Sequence, residues 1–147
     1  MENVALLKKM ALFNGLDTLE LIQISKLVEN RRFTKGEMVI REGDRGESLF
    51  AVKTGQFRAY VTRGGNQQDL AVFQPCESFG ELALVDAALR SASVEALTAG
   101  ELLELMAQEF AKILHHSTEM KLKIQDNLIK DLVLKLRRTN DRLLHLL

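Results

Sequence analysis

Apolar and polar positions fall into three zones along this chain: helical spacing, then strand-like alternation, then helical spacing again. Residues 1–30 read as helices. VALLKKMALF carries its apolar residues on one stripe, and Asn14-Gly15 break it. Asp17, with Glu20 three positions on, has the form of a capping box that starts TLELIQISKLVEN, whose Leu21, Ile24 and Val28 share a face. From 31 to 106 short segments alternate: EMVIR, SLFAVK, QFRAYVT, QDLAVFQ, ASVEALT and ELLELM. Turn signals stand between them at Lys35-Gly36, Gly43-Asp44, Thr54-Gly55 and Arg63-Gly64-Gly65-Asn66. So many short strands in one small domain predict a β-sandwich or barrel-like roll. One apolar segment among them, ELALVDAAL, reads as a short helix.

Residues 107–147 return to helix, first in EFAKILHH and then in a long final helix that Ser117 or Thr118 would cap. In that helix Leu122, Ile129, Leu136 and Leu143 recur every seven residues, beside a half-polar row of Gln125, Leu132, Thr139 and Leu146. This is the pattern of a coiled-coil seam. A lone helix exposing such a row is not stable in water, so residues 118–147 are expected to form a homodimer interface.

Composition narrows the functional classes. A 147-residue chain is one domain plus at most an accessory element. Lys+Arg and Asp+Glu number 20 each, so the net charge is zero and nothing asks for nucleic acid or an anionic membrane. One Cys forms no internal disulfide and no multi-cysteine cluster. With no apolar run as long as a membrane span and no signal-peptide core around Glu2, Lys8 and Lys9, the expected compartment is the cytoplasm. No Trp and a single Tyr argue against a stacking platform for single strands.

The chemistry concentrates in FGELALVDAALRSASV, residues 79–94. A helical turn after Gly80 would present free backbone N–H groups to an anion. Arg90 could pair with the same anion through its fork of donors, and an ionised Glu81 could accept from hydroxyls. The alternative is a loop ion pair that merely fixes a turn. A ligand carrying both an anion and hydroxyls, such as a sugar phosphate, accounts for the glycine and small residues as well. Each charge-assisted hydrogen bond to it would contribute about 1.5–3 kcal/mol.

This run resembles the phosphate-binding cassette of cyclic nucleotide-binding domains, and EGDRGESLFAVKTGQFRAYV, residues 42–61, is similar to that family's strand pair around its glycine turns. The likeness extends over essentially the whole chain, with the branch of the catabolite activator protein as the better match. It implies an α+β fold: a double-stranded β-helix (jelly-roll) flanked by N-terminal helices and a long C-terminal dimerisation helix. It also implies that Phe79, Gly80, Glu81, Leu82, Ala83, Arg90, Ser91 and Ala92 form the sugar and cyclic-phosphate site. Thr139 and Asn140 fall where that branch places a polar pair that meets the base; otherwise Thr139 sets helix register and Asn140 is solvated. Cys76 departs from the family, standing where it usually carries a glycine turn.

The function expected is a non-catalytic sensor that binds cAMP, or else cGMP, and couples binding to movement of the C-terminal helix. No cofactor is expected, and the cassette offers no poised base or nucleophile. The family's transcription factors carry a helix-turn-helix after the long helix; this chain ends at Leu147, so by itself it is not expected to read DNA. Ser91 could donate to phosphate or to a guanine edge and does not decide the base. One competing reading is a degenerate member acting as a dimerisation or docking module, or binding another effector. A cupin-type metal enzyme would need histidines on the strands, whereas His115, His116 and His145 all lie in the helical tail. The pair His115-His116 points about 100° apart on a helix with no third ligand at useful spacing. Cys76 has no His or acid to make it a nucleophile. Arg137, Arg138 and Arg142 read as a solvated face, and GGNQQ at 64–68 as a hairpin loop.

Overall fold

Strand β3 (Ser48–Thr54) is buried over five consecutive residues, and the rest of the chain packs on its two faces. The computed structural model describes residues 2–86 and 88–147. Alternation sends Phe50 and Val52 to one side, where they meet Phe33, Phe57, Phe79, Val94 and Leu102. Leu49 and Ala51 point the other way, into a second core formed with the N- and C-terminal helices. The remaining strands are β1 (Glu29–Phe33), β2 (Met38–Ile40), β4 (Phe57–Arg63), β5 (Asn66–Phe73), β6 (Ser78–Phe79), β7 (Ser93–Ala96) and β8 (Gly100–Met106). They form two four-stranded antiparallel sheets, β1-β8-β3-β6 and β2-β7-β4-β5. This is the α+β roll the sequence predicts.

The helices are α1 (Glu2–Lys9), α2 (Thr18–Ser25), α3 (Ala107–His116) and α4 (Thr118–Leu146). The capping box forms in full: Glu20 N donates to Asp17 Oδ1 at 2.8 Å, and Asp17 N to Glu20 Oε1 at 2.9 Å. Ser117 caps α4 by accepting from Met120 N. Phe13 and Phe110 meet edge to face at 6.1 Å, fastening the N-terminal segment to α3.

Three local predictions are corrected. VALLKKMALF is not one helix, because Met10 is extended (ψ 137°) and a separate 3₁₀ turn follows over Ala11–Phe13. The helix read through Asn30 ends at Ser25; residues 29–33 instead pair with β8, so tertiary pairing sets their conformation. The ELALVDAAL helix is a single 3₁₀ turn, Glu81–Leu84. Beyond it Gly46 N donates to Ala88 O, Arg90 N to Asp44 O and Gly43 N to Arg90 O, long-range bonds that draw residues 88–90 out of helix. Ala87, part of that predicted helix, lies outside the described residues.

The α4 stripe that packs on the body is Met120, Ile124 and Leu128, continued by the partly buried Leu132. The seven-residue row lies elsewhere on the helix: Leu122, Ile129, Leu136 and Leu143 are 55–61% exposed. On the packed side, buried Asn127 donates to Leu12 O at 2.9 Å and Asn14 O at 2.8 Å. Removing that amide leaves two carbonyls without their partner, so Asn127→Ala is expected to lower stability by about 2 kcal/mol. Urea unfolding checks this; a loss under about 0.5 kcal/mol would mean water replaces both bonds.

Candidate functional site

Phe79 ends β6 opposite Phe50 of β3, with ring centroids 5.3 Å apart; its other face stacks on Phe73 at 4.9 Å. This anchor fixes where the chain turns. Gly80 follows in the left-handed region (φ 80°, ψ 12°) and caps the 3₁₀ turn. A Cβ there would lie 2.9 Å from Arg90 Nη1 and 3.0 Å from Ser48 O, so glycine is required both by conformation and by space. The first hydrogen bond of the turn is Ala83 N to Gly80 O at 3.1 Å, leaving the Glu81 and Leu82 amides at its open start.

Arg90 lies against the same loop. Its Nη2 donates to Ser48 O at 2.7 Å, and its Nη1 lies 3.5 Å from Gly80 O. Gly46 makes room on the other side: a Cβ would come within 2.9 Å of the guanidinium carbon. Partial burial pulls the Arg90 pKa below its ordinary value, while the carboxylates of Glu104 and Glu81 oppose that shift. The group remains a cation at neutral pH, since arginine starts so far above it. The Glu104 carboxylate is itself held by Ser48 Oγ at 2.7 Å and Arg31 at 2.9 Å.

Glu81 is buried beneath this turn. One carboxylate oxygen accepts from Lys135 Nζ of α4. The other, Oε2, is closed to solvent and has no hydrogen-bond partner among the described residues. A loop ion pair between Glu81 and Arg90 is therefore not what the fold makes: the arginine is satisfied by carbonyls and the glutamate by a lysine from another element. Buried acceptors are normally paired; Oε2 of Glu81 is an exception among the described residues.

The other predicted residues divide. Ala83 is buried and Ala92 half-buried, while Leu82 (55% exposed) and Ser91 are on the surface. Thr139 and Asn140 are exposed, and the Thr139 hydroxyl donates back to Lys135 O at 3.0 Å, on its own helix. The α4 side chain that reaches the cassette is Lys135, one turn earlier. Sequence reasoning missed it because a single lysine among LVLKLRR looks like any solvated helix charge. It also missed Ser48, whose carbonyl orients Arg90, and Arg142, which donates to Leu70 O instead of standing free. Ser93, in the tail of the motif, accepts from Glu42 N at 2.9 Å and closes the loop before β3.

The remaining candidates are bland in place. His115 and His116 are exposed, and among the described residues no group of three or more His, Cys, Asp or Glu could hold a metal. Cys76 adopts φ 74°, in the left-handed region that glycine enters most readily. No helix among the described residues is long and apolar enough to cross a membrane.

Comparison with known proteins gives the family and the fold. Residues 30–117 match the family "Cyclic nucleotide-binding domain". The chain is 33% identical over 109 residues to the Cyclic AMP receptor protein of Thermus thermophilus, covering 74% of this chain and 50% of that protein. It is 30% identical over 122 residues to the cAMP-dependent protein kinase type II regulatory subunit of Drosophila melanogaster, covering 83% of this chain and 31% of the other. The chain thus spans half or less of the length of these relatives. The crystal structure of Thermus thermophilus Catabolite Activator Protein superposes with a TM-score of 0.81 at 31% identity, covering 92% of this chain and 62% of that one.

Proposed function

This chain belongs to the cyclic nucleotide-binding domain family, a regulatory and non-catalytic one, and from that premise we propose that its ligand is cAMP, held by Glu81 and Arg90 on the two sides of Gly80. One observation carries the reading: a buried carboxylate with an unpartnered oxygen lies beside a half-buried guanidinium fixed by backbone carbonyls. A ribose hydroxyl supplies the donor that Glu81 lacks, and the cyclic phosphate supplies an anion for Arg90 and the open amides of Glu81 and Leu82. Phe79 and Ala83 shape the floor, with Ser91 and Ala92 beside the phosphate and Leu82 at the entrance. Adenine is preferred because relatives at 30–33% identity are named for cAMP. Titration calorimetry with cAMP and cGMP tests this directly. Tighter binding of cAMP is expected, and Arg90→Ala should weaken it roughly 10- to 100-fold. Equal affinity of the two nucleotides would remove the choice of base, and equal affinity of variant and native chain would remove the site.

The proposed output is α4. Its exposed row of Leu122, Ile129, Leu136 and Leu143 suits a second copy of this chain, which would bury it in a seam over 118–147. Leu136→Glu is then expected to convert a dimer to a monomer in sedimentation equilibrium; a native chain already monomeric at high micromolar concentration would overturn the interface. In such a dimer Thr139 and Asn140, exposed in one copy, can meet the base and let the ligand favour one helix position through its differential affinity. Thr139→Ala/Asn140→Ala should lower cAMP affinity several-fold, at about 1 kcal/mol per lost hydrogen bond; unchanged affinity would sink the base contact. Silence in calorimetry with both nucleotides would instead favour a dimerisation or docking module working through the same apolar row.

A further inference from the structure

To accept a ligand hydroxyl Glu81 must be open to it, yet in this structure Glu81 is shut. Its side chain is 6% exposed. Lys135 Nζ occupies Oε1, and Oε2 is out of contact with solvent. The lysine therefore holds the one oxygen that has a partner, and the other is closed to an incoming hydroxyl in this arrangement. The lysine does not depend on Glu81 alone, however. Asp131, one turn back on α4, lies 3.3 Å from the same Nζ, and the Lys135 side chain is 37% exposed. If it leaves Glu81 it turns towards water and keeps a carboxylate partner on its own helix. The ammonium can therefore leave Glu81 without losing a carboxylate partner of its own.

We propose that Lys135 is an intramolecular occupant of the ligand's place on Glu81, so that a cyclic nucleotide binds only by displacing it and Lys135 sets the affinity of the site. This rests on the assignment of Glu81 as the hydroxyl acceptor. The hydroxyl replaces the ammonium as donor to the carboxylate, the ammonium passes to Asp131 and solvent, and Arg90 keeps its carbonyl partners throughout. Among the described residues, the polar ties of α4 to the roll beyond Leu128 are Lys135 to Glu81 and Arg142 to Leu70 O. Displacement of the lysine therefore also removes one of the two.

Occupancy by a competitor weakens apparent affinity by the fraction of molecules left open. A lysine seated on Glu81 in about four molecules of five costs about five-fold. Lys135→Ala, at a half-exposed helix position suited to alanine, is thus expected to bind cAMP about five-fold tighter by calorimetry, while Lys135→Arg binds like the native chain. In a Glu81→Gln background the gain from Lys135→Ala should vanish, because the contested carboxylate is gone. Native-like or weaker binding by Lys135→Ala, or a gain that persists without Glu81, overturns the competition while leaving cAMP binding intact. A Glu81→Gln chain that binds cAMP as tightly as the native one removes the premise instead. Absence of binding by every variant and by the native chain overturns the nucleotide reading and the competition with it.

Discussion

Burial of β3 on both faces is the constraint from which the candidate site hangs. Phe50 and Val52 are locked into the core between the sheets, and Leu49 and Ala51 into the core under the helices, so the strand cannot slide without exchanging the two sets. Its register fixes three things at once. Phe50 stacks with Phe79 and so determines where Gly80 and Glu81 begin. The carbonyl of Ser48 holds the guanidinium of Arg90. The hydroxyl of Ser48 holds Glu104, whose charge partly offsets the cost of half-burying that guanidinium. The cassette is a loop in conformation, but a strand buried over five consecutive residues sets its coordinates.

Charge around the loop is arranged so that no buried ion stands alone. Arg90 rests on carbonyls rather than on a carboxylate, which leaves its positive charge unspent and available to an external anion. Glu81 is neutralised from α4. Had the two paired with each other, as a sequence reading also allows, both recognition charges would have been consumed locally.

Those parts of the fold with a repeating side-chain pattern were legible in the sequence. The alternating strands, the capping box of α2 and the Ser117 cap of α4 appear where the pattern puts them. What escaped lacked such a pattern. In β1 four of five residues are exposed, because it is a sheet edge whose side chains form polar and ionic pairs such as Arg31–Glu104, so no apolar alternation marks it. β6 is two residues long. The segment after Glu81 is apolar enough for a helix, but bonds to residues 43–46, distant in sequence, decide its backbone. The glycine, glutamate and arginine of the site could be read because their types and spacing are unusual together. Lys135 could not, since its meaning depends on how α4 crosses the roll.

The crossing itself has a mechanical consequence. Up to Leu128, α4 is embedded: Asn127 is tied to the N-terminal segment, Lys123 to Glu20 of α2, and Met120, Ile124 and Leu128 are buried. Past that point its outer surface is largely free. A helix rises about 1.5 Å per residue, so Lys135 stands about 10 Å and Leu146 about 27 Å from Leu128. Measured from Leu128, the distance to the level of the cassette is thus the shorter and the distance to the tip the longer. A rigid tilt about Leu128 that moved Lys135 by about 1 Å would move Leu146 by about 2.6 Å. For a rigid helix anchored at Leu128, the ratio of the two displacements follows from the number of residues to each point alone.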